Sequence, residues 1–323
     1  MNRLTKVIRF TLLVFVFIAL SLKPLQAKTI HIRQYRLTYN FVFKYKNKTN
    51  RIDIWMPFPP ELKEQSLLYF NVIPKSAKTI LRYNSIYATA ILHIKAKDIK
   101  RLKITYVILR KTRTTTSLIY SLKVYKKPKL FKQFSLVPDN PIIKREVHQI
   151  AITVTKKDKN FIDKVHDIYN FVIGYLRYGH IPGSGRGDLN WLFKTKEGSC
   201  IDYHSLFMAL CSQIGVPTSF EIGILFPPNN ISGIVSHYHS WVKFFMPKIG
   251  WIPVDVSEAD KHPQLKRFYF GNLTANRVTL SMGRWFKVAD KKLNFFTTPI
   301  VKINGKDFSN YKLTITYRCK IFK

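Results

Sequence analysis

From Tyr35 to Tyr45 every second residue is apolar or aromatic: Tyr35, Leu37, Tyr39, Phe41, Phe43 and Tyr45, with mostly polar neighbours. The same alternation returns in Ala90, Leu92, Ile94 and Ala96, and again in Leu102, Ile104, Tyr106 and Ile108. Side chains of a strand point alternately to its two faces, so this period predicts half-buried antiparallel strands. Ile52 to Pro57 reads as a further strand, stopped by Pro57, Pro59 and Pro60. No helical period interrupts these segments. Residues 28–130 therefore predict an antiparallel β-sandwich-like domain, and Lys126 to Pro141, rich in lysine and proline, reads as the linker after it.

Beyond the linker the period changes. Val165, Ile168, Tyr169, Val172, Ile173 and Leu176 fall on one face of an amphipathic helix. Gly183-Ser184-Gly185-Arg186-Gly187 then reads as a mobile loop; it follows no predicted strand and lacks the Lys-Ser/Thr ending of a phosphate loop. A second helix carries Tyr203, Leu206, Phe207, Leu210, Cys211 and Ile214 at helical spacing, with Gly215 and Pro217 to end it. At its front, Ser199 can cap while Asp202 reaches back, which puts Cys200 at the first helical position. Strands return with His237–Phe245 and Trp251–Asp255, a hairpin turning at Pro247–Gly250, and with Tyr311–Tyr317 near the end. The sum is an α+β chain, with residues 131–323 as a second domain whose core spans 160–260.

Composition adds three points. Residues 1–27 carry Arg3, Lys6 and Arg9, a 13-residue weakly polar-to-apolar run from Phe10 to Leu22, and Ala27 as a small residue for cleavage. That run is short of the roughly 20 residues a membrane span needs, so it reads as a signal peptide. An uncleaved anchor is the alternative. The mature chain is expected outside the cytoplasm, periplasmic or extracellular, with no membrane span. Net charge is +36, of which +20 falls in residues 28–132 and +12 beyond them. The lysines are scattered singly, so no polyanion site stands out, and export argues against a nucleic-acid partner. Three cysteines, Cys200, Cys211 and Cys319, make no disulfide framework. On one helix Cys200 and Cys211 would lie about 16 Å apart, too far to bridge.

A free thiol in an exported chain calls for chemistry. A helix N-terminus favours the thiolate, so Cys200 is the candidate nucleophile, while Cys211 and Cys319 read as packing. The thiol must be open to a carbonyl and needs a base, which in turn needs an orienter. His239, two residues before Trp241, and Asp255 on the next strand supply both. A four-residue turn would set His239 nearer Glu258, so reaching Asp255 requires a bulge or an offset. His237 is the alternative base. A zinc site of Cys200, His204, His237 and His239 has no Cys-x-x-Cys or His-Glu-x-x-His pattern behind it. The backbone N–H of Cys200, with Trp191 or Asn190, is the candidate oxyanion donor.

Glu197-Gly198-Ser199-Cys200-Ile201-Asp202-Tyr203, Leu206–Leu210 and Gly215-Val216-Pro217 resemble the nucleophile helix of the transglutaminase-like superfamily. His239-Ser240-Trp241-Val242 is similar to its His-x-Trp strand, and Gly250-Trp251-Ile252-Pro253-Val254-Asp255 to its Gly-Trp-to-Asp strand. Phe270-Gly271-Asn272 with Asn276-Arg277 resembles the segment that follows in bacterial members. The resemblance implies a papain-like core after an N-terminal β domain, no cofactor, Cys200 as nucleophile, His239 as base and acid, and Asp255 as orienter. Ser219 and Val256 depart from the family pattern, where Arg and Pro are usual. The expected function is cysteine-dependent acyl transfer on a protein or peptide substrate through a thioester, with hydrolysis favoured over crosslinking. An exported basic binding module is the other class. Substrate identity and oligomeric state are not encoded in any motif.

Overall fold

The computed structural model describes residues 31–46, 50–84, 89–115, 134–157 and 160–322. The expected signal segment and residues 126–133 of the expected linker lie outside the described residues. The alternating segments form β1 (Ile32–Phe43), β2 (Arg51–Phe58), β5 (Thr89–Lys97) and β6 (Arg101–Lys111), joined by β3 (Gln65–Ile73) and β4 (Lys78–Asn84). Later strands are β7 (Thr218–Leu225), β8 (His239–Met246), β9 (Gly250–Val254), β10 (Arg277–Met282), β11 (Ile300–Ile303) and β12 (Tyr311–Phe322). The chain is α+β, as its periodicities predict.

Two five-stranded sheets face each other. One runs β12-β1-β6-β3 with the short strand Ser232–Ile234 at its edge; the other runs β11-β2-β5-β4 with Lys306–Asp307 at its edge. Tyr35, Leu37, Tyr39 and Phe41 of β1 meet Ile52 and Ile54 of β2 and Leu92 and Ile94 of β5 in one buried cluster. The inward set is the alternating set of the sequence, because a pleated strand can bury only every second side chain on one face. β12 pairs with β1 along its whole length, Ile32 opposite Phe322 and Phe43 opposite Tyr311. The sandwich thus contains strands from both ends of the described chain.

The third sheet, β9-β8-β7-β10, is antiparallel and carries the helices. They are α1 (Pro141–Val154), α2 (Phe161–Tyr175), α3 (Leu189–Thr195), α4 (Cys200–Gln213) and α5 (Val256–Lys261). α1 was not legible as a helix. Asn140 caps it by accepting the Ile142 N–H at 2.9 Å, but it buries only Ile143, Val147 and Ala151, too narrow a stripe to stand out. α4 is buried along nearly its whole length between the other helices and the sheet. A second core of Val165, Ile168, Phe207, Leu210, Val242 and Phe244 holds these layers together. Among the described residues no helix is long and apolar enough to cross a membrane.

One glycine sets how closely the strands of this sheet approach. Gly223 of β7 pairs with His239 on one side and Thr279 on the other, beside a register shift. A Cβ there would lie 1.9 Å from the Val278 carbonyl oxygen. Backbone cannot retreat as a flexible side chain can, so Gly223→Ala is expected to destabilise the fold by about 2 kcal/mol or more, read from urea unfolding. An unchanged midpoint would contradict this packing.

Candidate active site

α4 starts at Cys200, where the capping pattern places it. Ser199 is extended, and its N–H donates to Asp202 Oδ2 at 2.8 Å. The Ser199 hydroxyl donates to the same oxygen at 3.1 Å. Asp202 also accepts the Gly185 N–H at 2.6 Å and the Gly187 N–H at 2.9 Å. Arg186 between them offers its carbonyl to Asn294 Nδ2 at 2.7 Å. The glycine-rich loop is therefore tied to the head of α4, not free as the sequence suggested. Its glycines at φ +80° and +65° allow both amides to turn towards one carboxylate.

β8 and β9 keep a regular register, with Val242 opposite Val254 and Met246 opposite Gly250. No bulge intervenes. Asp255 reaches His239 because the chain leaves β9 there and becomes the N-cap of α5. Asp255 Oδ1 accepts the Glu258 N–H at 3.1 Å and the Ser257 hydroxyl at 3.3 Å. Oδ2 accepts from His239 Nε2 at 2.9 Å and from Arg277 Nη1 at 2.8 Å. One oxygen thus closes a helix while the other holds an imidazole and a guanidinium. His239 and the Cys200 thiol also act on each other electrostatically, each favouring the charged form of the other.

Burial and charge oppose each other here. Desolvation lowers His239, but the charge and hydrogen bond of Asp255, with the thiol behind them, raise it to about 9. Desolvation likewise raises Cys200, and the bond and charge of His239 together with bonds from Ser240 outweigh it, so the thiol sits below its ordinary value. Burial raises Asp255, and His239, His204 and Arg277 hold it far below the carboxylate range. Cys211 has no such neighbours, and burial alone pushes it well up. Access is narrow: Cys200 retains 7% of its surface and His239 6%, against none for Cys211.

Of the remaining candidates, His237 is exposed in the loop before β8. Asn190 is engaged by Asn140 and Asp188 through hydrogen bonds of 2.7 and 3.3 Å. The Trp191 ring lies against Gly183. The Cys200 N–H is among the first donors of α4, which have no carbonyl four residues back within the helix. Two buried residues beside Asp255 had no part in the expected triad: Arg277 stood only in the family-like segment and His204 only in the zinc alternative. Arg277 is fully buried, bonded to Asp255, with its guanidinium 4.9 Å from the Trp241 ring. His204, one turn beyond Cys200 on α4, lies fully buried between β8 and the start of α5. The chain distance from Asp255 to each hides both contacts from a local pattern.

Residues 148–256 match the sequence profile of the core of the transglutaminase-like superfamily. The chain carries a transglutaminase-like core. An uncharacterized protein of Haemophilus influenzae is 23% identical to it over 327 residues, covering 87% of this chain and 88% of that protein. The uncharacterized protein YebA of Bacillus subtilis is 24% identical over 177 residues, 47% of this chain and 24% of its own. A solved structure of a Cytophaga hutchinsonii protein, provisionally named a cysteine protease, is similar with a TM-score of 0.57. That likeness spans 92% of both chains at 16% identity, and is one of fold. It takes in the β-sandwich as well as the transglutaminase-like core.

Proposed function

We propose that this chain is an exported cysteine hydrolase that cleaves a peptide or carboxamide bond through a thioester. Cys200 is the nucleophile, His239 the base and acid, and Asp255 the residue that orients the imidazole. The observation that carries this reading is the buried His239 ring, with Nε2 donating to Asp255 Oδ2 at 2.9 Å and the imidazole lowering the thiol at the head of α4 below its ordinary value.

The Cys200 thiolate attacks the carbonyl carbon, forming the C–S bond and a tetrahedral oxyanion. Collapse breaks the C–N bond, and the imidazolium gives its proton to the leaving amine. Water then attacks the thioester and passes a proton to His239. The C–S bond breaks, releasing the acid and regenerating thiolate and imidazolium. A lysine amine in place of water would give an isopeptide crosslink; that route needs water kept from the thioester.

Iodoacetamide at about pH 6.5 is expected to label Cys200 far faster than Cys211 or Cys319, and the advantage is expected to fade as His239 deprotonates near pH 9. Peptide mapping by mass spectrometry reads this. Equal, slow labelling of all three would remove the enzyme and leave a basic binding module. Comparing proteomes exposed to the wild type and to Cys200→Ala, with a fluorescent primary amine present, separates new peptide ends from incorporated amine.

A further inference from the structure

The basic residues that stand singly in the sequence are gathered by the pleat. β1, β3, β6 and β12 contain no acidic residue. Their inward side chains face the core of the sandwich, so the outward ones share one face of the sheet. Register places Arg36 opposite Arg318, with Lys320 two residues further along β12. Towards the other end of that face Lys103 stands opposite Asn40, and Arg101 and Lys312 flank Val42 from either side. All six bases are exposed. From the strand spacing and the rise per residue they fall within roughly 10 by 26 Å.

The face keeps its charge. Among the described residues no ion pair takes in any of the six. On the outer face of the other sheet, by contrast, Arg51 meets Asp53 and Lys302 meets Asp290, both at 2.8 Å. Like charges directly opposite each other weaken a sheet, and Arg36 and Arg318 are so placed. That pair costs the sandwich stability, and an anion laid across it removes the cost.

Thr316, Thr38, Thr105 and Asn71 cross the middle of the face as a row of short polar side chains. A protein partner would want an apolar patch there. The exposed apolar side chains stand at the edges instead. Tyr69 and Ile73 on β3 are 50% and 48% exposed, and Ile234 on the short strand beside β12 is 68% exposed. Their registers, with Val107, Lys103 and Thr316, put all three on the basic face. A soluble polyanion would use the bases and leave these idle. An anionic bilayer uses both, since bases lie at its charged surface while tyrosine and isoleucine reach the boundary with hydrocarbon.

We propose that the outer face of this sheet docks the chain on a membrane surface that carries anionic lipid, as a peripheral contact. The contact is independent of the Cys200 chemistry, and the Cys200→Ala variant is expected to bind as the wild type does.

The test is cosedimentation of the full chain with vesicles of equimolar phosphatidylglycerol and phosphatidylcholine, and with vesicles of phosphatidylcholine alone. The wild type is expected on the first and not on the second. The triple variant Arg36→Thr, Lys103→Thr and Arg318→Thr is expected to lose on the order of 100-fold in partition, about fivefold per charge. Threonine suits a strand and the opposed arginines are gone, so its urea midpoint should equal or exceed that of the wild type. The same charge removed from exposed positions of α1 and α3, by Lys144→Gln, Arg145→Gln and Lys194→Gln, is expected to cost about threefold at most. Tyr69→Ser with Ile73→Ser is expected to cost about tenfold. All variants share one N-terminal segment, so its own affinity cancels between them. Equal losses in the two charge variants, or no preference for phosphatidylglycerol, would overturn the proposal. Full binding by the Tyr69→Ser, Ile73→Ser variant would mark a polyanion site and overturn the bilayer as partner.

Discussion

Asp255→Asn is expected to cut iodoacetamide labelling of Cys200 at pH 7 by on the order of 100-fold, and to lower turnover of any amide substrate at least as much. Four donors converge on this carboxylate: His239 Nε2, Arg277 Nη1, the Glu258 N–H and the Ser257 hydroxyl. An amide offers one oxygen and brings two donors of its own, so no orientation satisfies all four. The charge that raises His239 is lost as well. Burial then drives the imidazole neutral, and the thiol returns towards or above its ordinary value of 9.0. A thiol titrating there is about one part in 100 ionised at pH 7. The sign on the alkaline side follows. His239 is charged up to about pH 9 only because Asp255 is beside it, so in the variant the alkaline limb should move to lower pH. Labelling and a limb indistinguishable from wild type would remove Asp255 from the mechanism.

Arg277→Met is expected to destabilise the fold by about 3–5 kcal/mol near neutral pH, read from urea unfolding. Both partners of this ion pair are fully buried, 2.8 Å apart, and removing the cation leaves a carboxylate that water cannot reach. Methionine fills a similar volume, so packing against Trp241 is largely kept and the loss is mostly electrostatic. Asp255 is held below the ordinary carboxylate range in the fold. Stability from such a group is present above that range and is lost as pH falls through the folded value. The penalty of Arg277→Met should therefore shrink in acid, where the carboxylate can protonate. The double variant with Asp255→Asn should unfold more easily than wild type by less than the sum of the two losses. Full additivity would show that the two side chains do not depend on each other.

How far the sequence told of this arrangement depends on the range of each contact. The head of α4 was legible because Ser199 and Asp202 stand three residues apart and serve the helix between them. The inward faces of β1, β2, β5 and β6 were legible because alternation is local. Register was harder: counting across the β8–β9 turn set His239 against Glu258 and called for a bulge. The structure instead ends β9 at Val254 and bends the chain. Arg277, 22 residues from Asp255, stood in the sequence only within the family-like segment, and His204, 51 residues away, only in the zinc alternative; contacts of that range leave no local pattern that would place either beside Asp255. The glycine loop misled because its partner, the Asp202 carboxylate, sits 15 and 17 residues further on.

The full-length pairing of β1 with β12 has a consequence for how the chain can be assembled. During synthesis residues 32–43 emerge some 270 residues ahead of the segment that completes their hydrogen bonds on one side. Through that interval β1 has only β6 beside it, and its other rim is an open template for unwanted partners. Sandwich and core cannot mature one after the other like beads on a string. A message truncated before codon 300 would deprive both β1 and β2 of a neighbour, and leave a product prone to associate with its own copies.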